Sequence, residues 1–293
     1  MDNNLEKIIE LSKKLKNNET FKTLVELLNT IILDKNEDEV NFSQHRAFLF
    51  DENLNLKPLS ISENIKFSDL KGYEHQKQVL YNNTCAFLND KKVNNILLYG
   101  DAGCGKSSSV RALLNEFSDI KIVQIFKNNL INLDKLYVKL ANLPHKFIIF
   151  ADDISFEEDD HAFSTVKAVI EGSLITCPNN VVIYATSNRR RVVKETFSSR
   201  NGDEIHLNDT LNELNSLSER FGINLLFSKP KNDEFIKIVL ELAQDNNLEI
   251  ENDILIEKAQ RLALIKGSRT PRVALCDSPL KYSAKKEPQY TFQ

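Results

Sequence analysis

Eight residues, Gly100-Asp101-Ala102-Gly103-Cys104-Gly105-Lys106-Ser107, constrain what this chain can fold into more than any others. They follow the apolar run Ile96-Leu97-Leu98-Tyr99 and lead into Val110, Leu113, Leu114 and Phe117, which recur at helical spacing. A buried strand turning through glycines into a helix is the setting that the phosphate-binding pattern GxxxxGK[ST] requires. Glycines admit backbone conformations closed to residues with a Cβ, so successive N–H groups can point into one anion-sized hollow. The helix starting at Lys106 adds unpaired N–H groups and the positive end of its dipole. Asp101, Ala102, Gly103, Cys104, Gly105 and Ser108 are therefore candidate phosphate-cradling residues. Lys106 is expected to reach the β- and γ-phosphates, and Ser107 to hold Mg²⁺ through its hydroxyl.

Apolar strand patterns then alternate with helical ones. Residues 120–126, 147–151, 181–185 and 223–227 read as strands, and leucine and valine spacing marks helices between them. Together with residues 96–99 they predict an α/β fold with a five-stranded parallel sheet covered on both faces. Ahead of it, Leu5 to Ile9 and Phe21 to Ile32 suggest N-terminal helices, residues 34–39 an acidic connection, and residues 41–66 an irregular stretch. After Pro230 the strands stop and two helical patterns follow. The expected divisions are an N-terminal extension (1–66), a nucleotide-binding α/β domain (67–228), a helical lid (229–275) and a poorly ordered tail (276–293).

Other positions carry chemistry. Asp152-Asp153 closes the strand 147–151, and strand C-terminal ends are where open α/β sheets bind ligands. Downstream of a phosphate loop, Asp152 would hold the Mg²⁺ hydration shell and Asp153 would orient or deprotonate water. Asn188 follows the strand 181–185, and its amide could touch both a γ-phosphate and that water, because it donates and accepts. Arg220 and Arg272 offer planar donor forks suited to phosphate oxygens, the first to a neighbouring subunit's nucleotide, the second from the helical unit. Leu70 and Tyr73, just ahead of the domain, either wall a base or pack plainly, and residue physics leaves those readings even.

Composition sets limits. At 27% charged and 41% apolar, the chain is ordinary soluble protein, and a net charge of −4 gives no global attraction for nucleic acid. Arg189-Arg190-Arg191 is the one basic cluster of note, open to nucleic acid, an acidic neighbour or plain solvation. The four cysteines lack metal-ligand spacing and read as reduced thiols. The N-terminus lacks a signal peptide's apolar region, and no apolar run approaches membrane-spanning length, so no membrane partner and a cytoplasmic location are expected.

Taken together, the segments LLYGDAGCGKSSSV, FADDISFEEDD, EGS, YATSNRRR and SLSERFG resemble an AAA+ ATPase, and within that superfamily the bacterial group of predicted ATPases of unknown function. GSRTPRVA also resembles the corresponding segment of the Holliday-junction branch-migration motor. The resemblance implies strand order 5-1-4-3-2, a helical lid, and ATP with Mg²⁺ at a subunit boundary in a ring or partial ring. By motif position it makes Lys106 and Ser107 Walker A, Asp152 and Asp153 Walker B, Asn188 sensor 1, Arg220 the finger in trans and Arg272 sensor 2. It also tips Leu70 and Tyr73 toward the adenine. The implied activity is ATP hydrolysis coupled to remodelling of an unknown macromolecular client. Asp153 stands one methylene short of the usual glutamate, which keeps a second reading open, a switch or scaffold with little hydrolysis. A DNA-associated loader or motor is a third.

Overall fold

The computed structural model describes residues 42–60, 64–154, 156–157, 177–188, 193–194 and 221–276. The chain divides after His45, and the elements below belong to the unit that starts at Arg46. The expected elements at residues 1–33, 34–39, 163–170 and 211–217, the triplet Arg189-Arg190-Arg191, Arg220 and the tail from residue 277 lie outside the described residues.

Residues 41–66 correct the irregular reading. They contain β1 (Ala47–Phe50) and β2 (Leu56–Pro58), paired antiparallel. The five expected strands follow as β3 (Ile96–Gly100), β4 (Ile120–Ile125), β5 (Lys146–Ala151), β7 (Val181–Ser187) and β9 (Ile223–Phe227). The short β6 (Phe156–Glu157) and β8 (Val193–Lys194) pair with each other, apart from the main sheet. That sheet has seven strands, in the order β2-β1-β4-β5-β7-β3-β9. Read from the β9 edge, the five expected strands run 5-1-4-3-2, all parallel, and β1 and β2 extend them beyond β4. The five-stranded expectation is thus corrected to seven. The cause is local: Ala47, Phe48 and Phe50 are buried as β1 pairs along β4, from Ala47 opposite Ile122 to Phe50 opposite Ile125.

The helices are α1 (Glu74–Leu88), α2 (Lys106–Glu116), α3 (Leu133–Ala141), α4 (Asn232–Asp245), α5 (Asn252–Lys266) and α6 (Pro271–Cys276). Leu80 and Phe87 of α1 and Val110, Leu113 and Leu114 of α2 pack with alternate residues of the sheet, among them Ile96, Leu98, Ile148, Phe150 and Tyr184. That alternation is the period-two signature of one sheet face. The last three helices have a core of their own, built on Phe235, Ile238, Leu242, Leu255, Ala259 and Ala274. Among the described residues no helix is long and apolar enough to cross a membrane.

The order of the sheet positions everything that follows. β7 lies between β3 and β5, so the segments leaving those three strands emerge side by side at their C-terminal ends. At the β3–β9 border the main chains approach closely. Gly100 has φ +126°, and a Cβ there would sit 2.4 Å from the Phe227 carbonyl oxygen. Gly267, at φ +63° after α5, has open space where its Cβ would be. Gly100→Ala should therefore cost more than about 3 kcal/mol in urea unfolding, through clash and strain together. Gly267→Ala should cost only about 1–2 kcal/mol, the left-handed conformation alone. Equal losses would contradict the close approach.

Candidate functional site

The loop from Asp101 to Gly105 bridges β3 and α2. Gly103 and Gly105 have φ of +81° and +90°, the left-handed region that glycine enters without strain. Gly105 precedes α2, so the free N–H groups of the helix's first turn open onto the loop. Asp101 ties the start of the loop to the end of β9 by two contacts. Its N–H donates to the Phe227 carbonyl (2.9 Å), and its Oδ2 accepts from the Lys229 N–H (2.9 Å).

Lys106 folds back over this loop. Its ammonium donates to the Gly100 carbonyl at 2.9 Å, the Asp101 carbonyl at 2.7 Å and Asn188 Oδ1 at 2.9 Å. Burial pushes its pKa below the ordinary lysine range, while the carboxylates of Asp153, Asp101 and Asp152 oppose the fall. Asn188 is thereby two-handed: its Nδ2 donates to Asp153 Oδ1 at 2.6 Å. Asp153 sits at φ +52°, an uncommon conformation for a side-chain-bearing residue, which here accompanies its turn toward Asn188.

The neighbouring carboxylate is held differently. Asp152 Oδ1 accepts from Ser107 Oγ at 2.5 Å and from Thr186 Oγ1 at 2.6 Å. Thr186 Oγ1 in turn accepts the Asp153 N–H at 2.8 Å. The structure thus brings Lys106, Ser107, Asp152, Asp153 and Asn188 into one hydrogen-bonded network. Two of its neighbours were not singled out from the sequence. The apolar run reads as a strand only as far as Ala185, but β7 continues through Ser187 and buries Thr186 at 1% exposure. Arg111, one turn after Ser107 on α2, sets its Nη2 3.5 Å from Asp152 Oδ2.

Leu70 and Tyr73 line a small hollow with Cys104, Gly105, Pro271 and Leu275, beside the phosphate loop. Tyr73 is fixed by its hydroxyl, which donates to the Ser228 carbonyl at 2.7 Å, and by its ring, stacked on Phe227 at 4.9 Å. A third residue missed from the sequence shapes this wall: the buried Lys77 amine donates to the Leu70 carbonyl at 2.6 Å and to Glu74 at 2.9 Å. The Cys104 thiol is buried at 1% exposure, and that burial raises its pKa, so it is a packing group rather than a nucleophile. Arg272 meets the loop through its main chain, its N–H donating to the Gly103 carbonyl at 3.3 Å, with an exposed side chain. Ala102 is exposed at the loop's tip and Ser108 lies in the first turn of α2. Arg220 falls outside the described residues, so nothing places it.

The site suits a magnesium triphosphate. Two left-handed glycines and a helix start present N–H donors, open space lies where a Gly105 Cβ would be, and Ser107 with Asp152 supplies hard oxygen ligands.

A family model described as a protein of unknown function (DUF815) matches residues 43–276, and the chain belongs to that family. No curated protein matches the chain. Among solved structures, two substituted forms of Thermotoga maritima RuvB are each 19% identical over 72% of this chain, with a TM-score of 0.47. The chain spans 61% and 62% of their length. A further Thermotoga maritima RuvB, described as a Holliday junction branch migration motor, is 15% identical over 72% of this chain and 70% of its own, with a TM-score of 0.42.

Thr186 holds both aspartates through one hydroxyl, donating to the Asp152 carboxylate and accepting the Asp153 N–H. Thr186→Val keeps the strand's shape but leaves the Asp153 N–H without its acceptor, and should cost about 1–3 kcal/mol in urea unfolding. Thr186→Ser should restore most of that loss. A valine variant as stable as the parent would show that the hydroxyl carries no part of the network.

Proposed function

We propose that this member of a family of unknown function is an Mg²⁺-dependent AAA+ ATPase. It would assemble into a ring or partial ring and couple nucleotide state to the remodelling of a macromolecular client. The observation that carries the reading is the chain of contacts Ser107–Asp152 and Lys106–Asn188–Asp153, which joins the phosphate loop to the ends of β5 and β7.

In this reading the loop N–H groups and Lys106 bind the triphosphate. Leu70 and Tyr73 wall its base. Ser107 and Asp152 hold Mg²⁺, which supplies charge to offset that developing on the transferring phosphoryl group. Asp153 accepts the proton of the attacking water, and Asn188 holds that carboxylate and reaches toward the γ-phosphate from the same amide. Arg220 of one subunit would complete the site of the next, and Arg272 would carry nucleotide state to the lid. Arg272's main-chain contact with Gly103 supports that last role.

One observation favours a slower variant of the same machine. Asp153 is one methylene short of a glutamate and gives one of its two oxygens to Asn188 at 2.6 Å, which leaves a single, shorter-reaching oxygen for a water. A switch that binds ATP and hydrolyses it rarely would show just this arrangement.

Four substitutions separate these roles. Lys106→Ala should weaken ATP binding, read by calorimetry, by about a hundredfold or more. Asp153→Asn should leave binding intact and lower phosphate release by about a hundredfold. Asn188→Ala should behave like Asp153→Asn, since both act on the water. Arg220→Ala should bind ATP normally and lose turnover; normal turnover in that variant contradicts a site shared between subunits. Wild-type protein that binds ATP yet releases no more phosphate than Asp153→Asn would establish the switch instead.

A further inference from the structure

Asp152 is gripped from two sides. Its Oδ1 takes hydrogen bonds from Ser107 and Thr186, while its Oδ2 faces the guanidinium of Arg111 at 3.5 Å. Ser107 and Arg111 stand one turn apart on α2, so the same helix offers a hydroxyl to one oxygen and a permanent positive charge to the other. The Arg111 side chain is 49% exposed and that of Asp152 23%. A pair so open to water adds little to stability. Its effect on a second cation is larger, because a guanidinium shares one carboxylate with whatever metal ion Asp152 holds.

We propose that Arg111 is a positioning residue that makes divalent-cation binding at Asp152 conditional on a bound triphosphate. The inference rests on the reading of the loop as a magnesium triphosphate site. Ser107 and Asp152, directly or through water, account for at most two of the six oxygen positions around Mg²⁺, and Arg111 offsets part of the charge of the one carboxylate between them. A free divalent ion therefore meets a site with few ligands and little net attraction. A triphosphate adds phosphate oxygens, water completing the shell, together with enough negative charge to outweigh the guanidinium. Arg111 thus keeps the metal from entering ahead of its nucleotide, and it holds Asp152 Oδ2 in place for the metal's arrival.

The test is direct. Equilibrium dialysis of the full chain against Mn²⁺ measures metal uptake without nucleotide and with a slowly hydrolysed ATP analogue. Wild type should take up Mn²⁺ weakly alone and far more tightly with the analogue. Arg111→Gln should bind Mn²⁺ alone about tenfold more tightly, the scale expected for removing one charge from beside a divalent ion in a half-exposed site. Arg111→Lys should behave as wild type, and added KCl should shrink the gap between wild type and Arg111→Gln. Equal nucleotide-free affinities in wild type and Arg111→Gln would overturn the inference while leaving the triphosphate reading intact. So would loss of analogue binding by Arg111→Gln in metal-free buffer, which would make Arg111 a structural prop. Wild type whose Mn²⁺ uptake ignores the analogue would overturn both.

Discussion

A single carboxylate oxygen, Asp152 Oδ1, takes a hydroxyl hydrogen bond from α2 and another from β7 at once. That shared acceptor joins the helix after the phosphate loop to two neighbouring strands, and the site's geometry depends on it. Hydrogen bonds to an ionised acceptor are shorter and stronger than neutral ones. The 2.5 Å and 2.6 Å separations are of that kind. Thr186 passes the constraint on, since the hydroxyl that donates to Asp152 also accepts from the Asp153 main chain. Asp153 is then held within reach of Asn188, and Asn188 within reach of Lys106. Disturbing any one of these side chains disturbs the positions of the rest.

The same edge of the sheet connects outward to the helical unit. Asp101 grips the Lys229 main chain as the chain leaves β9, and the Arg272 N–H meets the Gly103 carbonyl as the chain enters α6. Space at Gly103 is tight: a Cβ there would come within 3.1 Å of Thr270 Oγ1. The phosphate loop is therefore touched by both ends of the α4–α6 unit. The unit nevertheless has a core of its own, separate from that of the sheet.

The loop before α2 was legible in the sequence because its shape dictates its letters: the left-handed turns at Gly103 and Gly105 demand glycine. The central strands were legible because burial on both faces leaves continuous apolar runs, as in Phe147-Ile148-Ile149-Phe150. The same logic hid β1 and β2. Ala47-Phe48-Leu49-Phe50 is only four residues long, and β2 is an edge strand of three that ends at Pro58, where proline weakens any strand reading. Thr186 escaped notice because β7 outlasts its apolar run, so nothing in the letters marks a polar residue past Ala185 as buried. Arg111 looked like any polar residue on a helix surface. Only the fold, which sets α2 beside the residue that follows β5, makes it a neighbour of Asp152.

The central claim is that Lys106, Asp152 and Asn188 serve one triphosphate. An experimental structure of the full chain with Mg²⁺ and a slowly hydrolysed ATP analogue tests it most directly. The account predicts the γ-phosphate between Lys106 Nζ and the Asn188 amide, with the metal against Ser107 and Asp152. A nucleotide bound elsewhere, or one whose terminal phosphate leaves Asn188 and Asp152 untouched, would contradict it.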